Sequence, residues 1–193
     1  MTSFLTRQLG RPEGLFGGLL LKLLNRVNAE MNRAVLADLP PGAGHRVLEI
    51  GFGGGDLMSS LLKAPVASVA GVEVSDPALA AGRRRFGGEI ASGRLTLMGA
   101  GVEAMPFEAA TFDRVYSCNT LYFWPELAGP LAEIGRVMAP GGRLAVGHVR
   151  IPPKGSIQRS VAEVEAALQT AGFVEVVSRP VRDAFTVTTA LRP

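Results

Sequence analysis

Three carboxylates bracket one run of glycines. Glu49 precedes Gly51-Phe52-Gly53-Gly54-Gly55, Asp56 follows directly, and Glu73 closes the next apolar run. Glycines at such a turn let backbone approach a ligand closely, and a helix opening after them offers free N–H groups. Phosphates are common guests there, because those N–H groups and the helix dipole attract anions. Here the acids argue otherwise. The dinucleotide fingerprint G-x-G-x-x-G needs glycine at its sixth position, where this chain has Asp56. An acid at the helix start repels a pyrophosphate, and Glu49 adds a second negative charge. Glu73 is placed to accept hydrogen bonds from ribose hydroxyls, by the logic of dinucleotide folds. The constellation suits a cationic ligand without phosphate.

S-adenosylmethionine (SAM) has those properties: an ammonium group, a sulfonium centre and no phosphate. Three functions stay open on the residues alone: an enzyme using SAM, a SAM-binding protein without catalysis, and a nicotinamide-dependent oxidoreductase. Asp56 argues against the last. No metal site is expected.

The elements that must position these residues alternate. Strand-like runs at Arg46–Ile50, Ser68–Val74, Leu95–Met98, Phe112–Cys118 and Arg143–Val149 are separated by helical patterns. Helices are expected over Asp56–Lys63, Asp76 to about Phe86, Pro125–Met138 and Ser160–Ala171. Asp76 is expected to cap the second with Pro77 in its first turn, and Gly141-Gly142 to end the third. Gly172 is placed to stop the last. Val174–Ser178 and Phe185–Ala190 lie too close together for a crossover helix, so they are expected to pair antiparallel. The expected fold class is α/β: a Rossmann-like, seven-stranded, mostly parallel sheet, helices on both faces, and a C-terminal antiparallel hairpin. That final hairpin also argues against the oxidoreductase.

Ahead of the first strand, apolar residues from Leu15 to Val35 recur at helical spacing, predicting an amphipathic helix that ends before Pro40-Pro41. Leu15–Leu24 is too short to span a bilayer, contains Lys22 and is followed by no small-residue cleavage site. Residues 1–40 are expected to form a helical lid over a domain comprising 41–193. Phe4, Arg11, Phe16 and Asn28 belong to that lid.

The 193 residues suffice for a single core with small additions. A formal charge of +3 is too weak for a dedicated nucleic-acid binder, and Arg83-Arg84-Arg85 is read as a solvated helix face. Cys118 is the only cysteine, which excludes an intramolecular disulfide and fits a reducing, cytoplasmic setting. It is read as buried filler in its strand. The expected partner is a small-molecule substrate, without nucleic acid or membrane, in a monomer or homodimer.

VLEIGFGGGDL, GVEVSD, EAMPF, FDRVYSCNTLYFW and EIGRVMAPGGRL, in that order, resemble the successive motifs of class I SAM-dependent methyltransferases, most nearly the small-molecule methyltransferase type 11 group. The likeness covers roughly residues 44–149, and the helix-then-hairpin tail also resembles that family's ending. It implies methyl transfer from SAM, leaving S-adenosylhomocysteine (SAH). It further implies that Gly51, Phe52, Gly53 and Gly55 line the methionine part and that Glu49 holds the ammonium through water. Glu73 would take the ribose hydroxyls, Val74 would pack on the adenine, and Gly101, Val102 and Glu103 would lie beside it. Asn119 would offer its backbone carbonyl to the methionine end. Relatives commonly read G-D-A-E-A-L-P-F after the third strand, with the aspartate accepting from the adenine amino group. Here Gly101 stands at the aspartate position, so backbone, water or Glu103 must serve instead.

Methyl transfer from a sulfonium needs alignment and exclusion of water more than a dedicated residue. A base helps where the acceptor is a hydroxyl or a protonated amine. Tyr122 and His148, near the carboxyl ends of the fourth and fifth strands, are the catalytic candidates; His148 alternatively serves only to hydrogen-bond backbone. Tyr122-Phe123-Trp124 could wall a pocket or sit near the sulfonium, where aromatic faces attract cations; alternatively Phe123 and Trp124 pack the following helix. His45 falls at the opposite end of the sheet. Asn119-Thr120-Leu121-Tyr122 lacks the N-P-P-[YF] pattern used on exocyclic base amines, which disfavours a nucleic-acid substrate.

Overall fold

The computed structural model describes residues 28–150, 152–181 and 185–193. Its centre is one seven-stranded sheet of order β3-β2-β1-β4-β5-β7-β6. The strands are β1 (Arg46–Ile50), β2 (Ser68–Glu73), β3 (Leu95–Gly99), β4 (Phe112–Cys118), β5 (Met138–Val149), β6 (Val174–Val181) and β7 (Phe185–Leu191). All neighbours pair in parallel except those of β7, which runs antiparallel to both β5 and β6. This is the expected fold class, hairpin included. The order reverses direction at β1, with β2 on one side and β4 on the other. Such a switch point opens a crevice at the carboxyl ends of the strands.

Apolar residues on both strand faces make the sheet a wall between two cores. Leu48, Val115, Leu144 and Val146 face one core with Leu131, Ile134 and Leu168. Val47, Val69, Tyr116 and Ala145 face the other with Leu57, Met58 and Leu61. Alternation along β1 therefore puts Glu49 on the same side as Val47, at the last turn before the crevice.

Helix α1 (residues 28–38) buries Met31 and Val35 in the second core, with Leu39 just beyond its end. Tyr116 anchors it, donating its hydroxyl to the Leu39 carbonyl at 2.7 Å, and Arg179 grips Asp38 through Nε and Nη2 at 2.7–3.1 Å. The part of the expected amino-terminal helix before residue 28, with Phe4, Arg11 and Phe16, lies outside the described residues, as do Ile151 and the 182–184 connection.

The remaining helices are α2 (Asp56–Lys63), α3 (Asp76–Arg85), α4 (Gly87–Ala91), α5 (Ala128–Val137) and α6 (Val161–Thr170). Three local expectations need correction. Ser75, not Asp76, caps α3: its backbone is extended and its hydroxyl accepts from the Ala78 N–H, with Pro77 in the first turn. Helix α5 is shorter than Pro125–Met138, because Leu127 is only its N-cap and Met138 is already extended; Leu121–Phe123 forms a separate 3₁₀ turn before it. Gly141-Gly142 consequently does not end a helix. It sits in a bulge of β5, where Met138 pairs with Phe112 and pairing resumes at Arg143 with Arg114. Short α4 was not foreseen. Ser160 and Glu163 close a full capping box on α6, and Gly172 stops it at φ 89°.

Candidate functional site

At the carboxyl ends of β1, β2 and β4 lies a cavity of about 620 Å³, well inside the range of roughly 300–1,000 Å³ that suits a small-molecule ligand. The loop between β1 and α2 forms its floor. Gly51, Gly53 and Gly55 all take left-handed backbone, at φ 71°, 48° and 77°. Only glycine adopts that conformation without cost. A side chain at Gly51 would begin 2.5 Å from Thr120 Cγ2, and one at Gly55 2.7 Å from the Phe86 ring. Gly53 faces open space. The loop therefore has close backing and an open front.

Its hydrogen bonds fix that shape. Gly51 N–H donates to the Val72 carbonyl and Gly55 N–H to the Phe52 carbonyl, at 2.9 and 2.7 Å. Glu73 joins both walls of the crevice: Oε2 accepts from Gly53 N–H and Oε1 from Ser75 N–H, each at 2.9 Å. Phe52 is buried beneath the loop, against Gly71 and Gly82.

Glu49 is buried on the cavity wall, and its Oε2 has no hydrogen-bond partner. Desolvation, then the charges of Asp56 and Glu73, push its pKa well above the ordinary 4.5. On the same cavity Asn119 holds left-handed backbone at φ 58°, with its Oδ1 buried and unpartnered. Two buried acceptors without donors thus face one cavity. Glu49, Asp56, Glu73 and Glu103 all line it, and no Lys, Arg or His does so among the described residues. The chemistry fits a ligand bearing N–H donors and positive charge.

The structure brings together every residue expected to hold the cofactor: Glu49, Gly51, Phe52, Gly53 and Gly55 from β1 and its loop, Glu73 and Val74 from β2, Gly101, Val102 and Glu103 after β3, and Asn119 after β4. The Gly101 position is informative. Glu103 Oε2 lies 2.5 Å from where a Cβ at Gly101 would be, and Val74 Cγ1 lies 3.9 Å away. A carboxylate does stand there, supplied from two residues along.

Tyr122 and His148 are not brought to this cavity. They line a second one of about 10 Å³ with Arg159, enough for about one water. His148 alternates with Gly147 along β5, and Gly147 faces α1, so the imidazole turns to the other sheet face under Leu121 and Tyr122. It is 4% exposed, its Nε2 is unpartnered, and burial lowers its pKa below 6.5. Burial likewise raises the Tyr122 hydroxyl. His45, at the far end of β1, accepts from Gly42 N–H.

Sequence reasoning missed several cavity residues. Cys118 is only half-buried as filler and lines the cavity, its thiol pushed up by desolvation and by Glu49. Asn32, one turn beyond Asn28 on α1, and Thr120 also line it. Phe123, for which the sequence left both a pocket wall and helix packing open, is 69% exposed at the cavity rim, its ring 4.6 Å from that of Tyr122. Trp124 is buried in the core as well as touching the cavity. A helical period of four from Asn28 is the available signal for Asn32; nothing local marks Cys118 or Thr120 as cavity residues. Among the described residues no group of three or more His, Cys, Asp or Glu could hold a metal, and no helix is long and apolar enough to cross a membrane.

Comparison with known proteins agrees with this geometry. The family described as Methyltransferase domain matches residues 48–146, just over half of the chain. The methyltransferase GfsG of Streptomyces halstedii is 28% identical over 155 residues, 79% of this chain and 55% of its own. The demethylmenaquinone methyltransferase of Thermus thermophilus is 36% identical over 112 residues, 58% of this chain and 50% of its own. The chain spans about half the length of these curated relatives. A SAM-dependent methyltransferase from Aquifex aeolicus superposes with a TM-score of 0.72 at 19% identity, covering 85% of this chain and 92% of that one, which is a likeness of fold.

Proposed function

The chain belongs to the class I SAM-dependent methyltransferases, and from that premise we propose that it moves a methyl group from SAM to a small-molecule acceptor. The observation that carries the reading is the pair of buried, donorless acceptors, Glu49 Oε2 and Asn119 Oδ1, in an acid-lined cavity. An ammonium offers three N–H donors to such a pair, and a phosphate offers none. Glu49 would hold that ammonium, Glu73 the ribose hydroxyls, and Val74, Val102 and Glu103 the adenine side.

When bound, the cofactor supplies an electrophilic methyl on a sulfonium. The chain contributes position and exclusion of water, the effects that methyl transfer needs most. Phe123 and Val74, 69% and 76% exposed, give the cavity an apolar rim. The acceptor is proposed to lie against Phe123, with α1 covering part of the cavity through Asn28 and Asn32. Tyr122 and His148 are assigned to the wall behind that rim, where the 152–159 loop is sutured to it. Ile157 N–H donates to the Tyr122 carbonyl at 3.1 Å, and Arg159 to the Trp124 carbonyl at 2.7 Å. The setting proposed is cytoplasmic, as monomer or homodimer, without nucleic-acid or membrane partners; the unpaired Cys118 and the +3 formal charge support this.

Calorimetry with SAM, SAH and NAD tests the cofactor. SAM and SAH binding with no NAD signal is expected, whereas NAD binding without SAM would overturn the reading. Labelled SAM incubated with fractionated small-molecule pools is expected to yield a methylated product. Binding without product from any pool would favour a SAM-binding protein that does not catalyse.

A further inference from the structure

The Arg83-Arg84-Arg85 run is not uniformly a solvated face. All three residues are exposed, but Arg85, at the end of α3, reaches back to the glycine loop and the first turn of α2. Its Nη1 donates to the Gly54 carbonyl and, at 3.1 Å, to Asp56 Oδ1; its Nη2 donates to Ser59 Oγ at 3.1 Å. The guanidinium carbon lies 5.1 Å from the centre of the Phe86 ring, the same ring that backs Gly55. Arg85 does not line the cavity.

We propose that Arg85 is a positioning residue for the cofactor, a clamp that holds the Gly54–Asp56 turn in its receiving shape from behind. The inference rests on the loop being the SAM site. Three glycines in left-handed backbone give this loop freedom that any ligand must remove on binding, and a loop already held costs less to bind. The planar guanidinium is suited to the task because its donors are spread over a rigid fork that spans Gly54, Asp56 and Ser59, whereas an ammonium's three donors radiate from a single nitrogen on a flexible stem. As an isolated surface ion pair Arg85–Asp56 would contribute little to stability. The clamp therefore acts on affinity and not on the fold.

Titration of SAM and of SAH into the full chain tests this. Arg85→Met is expected to raise both dissociation constants about tenfold and by the same factor, with the unliganded unfolding midpoint within about 2 °C of wild type. Arg85→Lys keeps the charge without the fork and is expected to recover less than half of that loss. Amide exchange at Gly53–Asp56 in the unliganded chain should quicken in Arg85→Met. Unchanged affinity, a lowered midpoint with unchanged affinity, full rescue by lysine, or a change for SAM alone would each overturn the clamp. The last two would mean that charge alone acts. Should wild type bind neither SAM nor SAH, the cofactor reading fails, and the exchange measurement alone then decides whether Arg85 holds the loop.

Discussion

Asn119 Nδ2 donates a 2.7 Å hydrogen bond to Asn28 Oδ1, joining the end of β4 to the helix that precedes β1. Both residues line the cavity. Asn119 holds this bond from left-handed backbone, a conformation that asparagine tolerates better than most residues. The bond makes α1 part of the cavity wall, beyond its packing on the core.

Asn28→Ala should consequently lower stability by roughly 0.5–1.5 kcal/mol and weaken SAH binding. Asn119→Gly keeps the backbone at ease while deleting the same bond. A double-mutant cycle on denaturant unfolding is the check. A coupling near zero would show that the two amides contribute independently, and that core packing, Tyr116 and Arg179 hold α1 without this bond.

Glu73 has two tasks, clamping Gly53 and Ser75 while facing the cavity. Glu73→Ala removes both, and SAH affinity should fall by roughly 1–3 kcal/mol. Glu73→Gln retains one acceptor oxygen but brings an N–H₂ against a backbone N–H, so it should rescue only in part. Calorimetry of the three proteins is sufficient. Equal affinity in all three would remove Glu73 from ribose recognition.

Most of the frame could be read from the sequence because its signals are local. The strand after Arg46, the glycines after Ile50 and the acid at Glu73 each declare themselves within a few residues, and all converge on the cavity. Errors arose where a local signal had two uses. Gly141-Gly142 suits a helix stop and a strand bulge equally, and only pairing with β4 decided between them. Asp76 and Ser75 are both good caps, and backbone extension at Ser75 chose the latter. His148 sits at the right strand end, but strand parity turns it to the sheet face away from α1, and Tyr122 falls in a 3₁₀ turn whose direction no local signal fixes. Arg85 could not be read at all, because its partners Gly54, Asp56 and Ser59 lie far away in the chain.

Glu49 gives a pH signature. Its folded-state pKa is raised, by burial first and then by Asp56 and Glu73. The unliganded fold therefore keeps its full contribution below the unfolded value near 4.5, and loses stability as pH rises from there through the folded value. Glu49→Gln should flatten that decline and raise the unfolding midpoint of the unliganded protein at neutral pH. A cationic ligand favours the ionised carboxylate, so SAM affinity should climb over the same window in wild type and not in Glu49→Gln. Calorimetry in two buffers of different ionisation enthalpy should detect proton release on binding, absent from the variant. No release in wild type would mean that Glu49 keeps its proton or never holds one.

The exchange of roles between Gly101 and Glu103 makes the most discriminating test. Glu103 Oε2 occupies the space beside Gly101 into which a side chain there would grow. If that carboxylate serves the adenine amino group, Glu103→Ala should weaken SAH by roughly 1–3 kcal/mol, the range for losing a hydrogen bond to a charged group with its partner left behind. Gly101→Asp alone should not help, since two carboxylates would then compete for one place and repel each other. Gly101→Asp combined with Glu103→Ala should restore binding, because a carboxylate again reaches the amino group, now from residue 101. Affinity for SAH against an inosine analogue, which lacks that amino group, separates recognition from packing. Wild type and the double variant should both prefer the amino form, and Glu103→Ala should not. Equal preference in all of them would assign the amino group to backbone or water, and Glu103 to the surface.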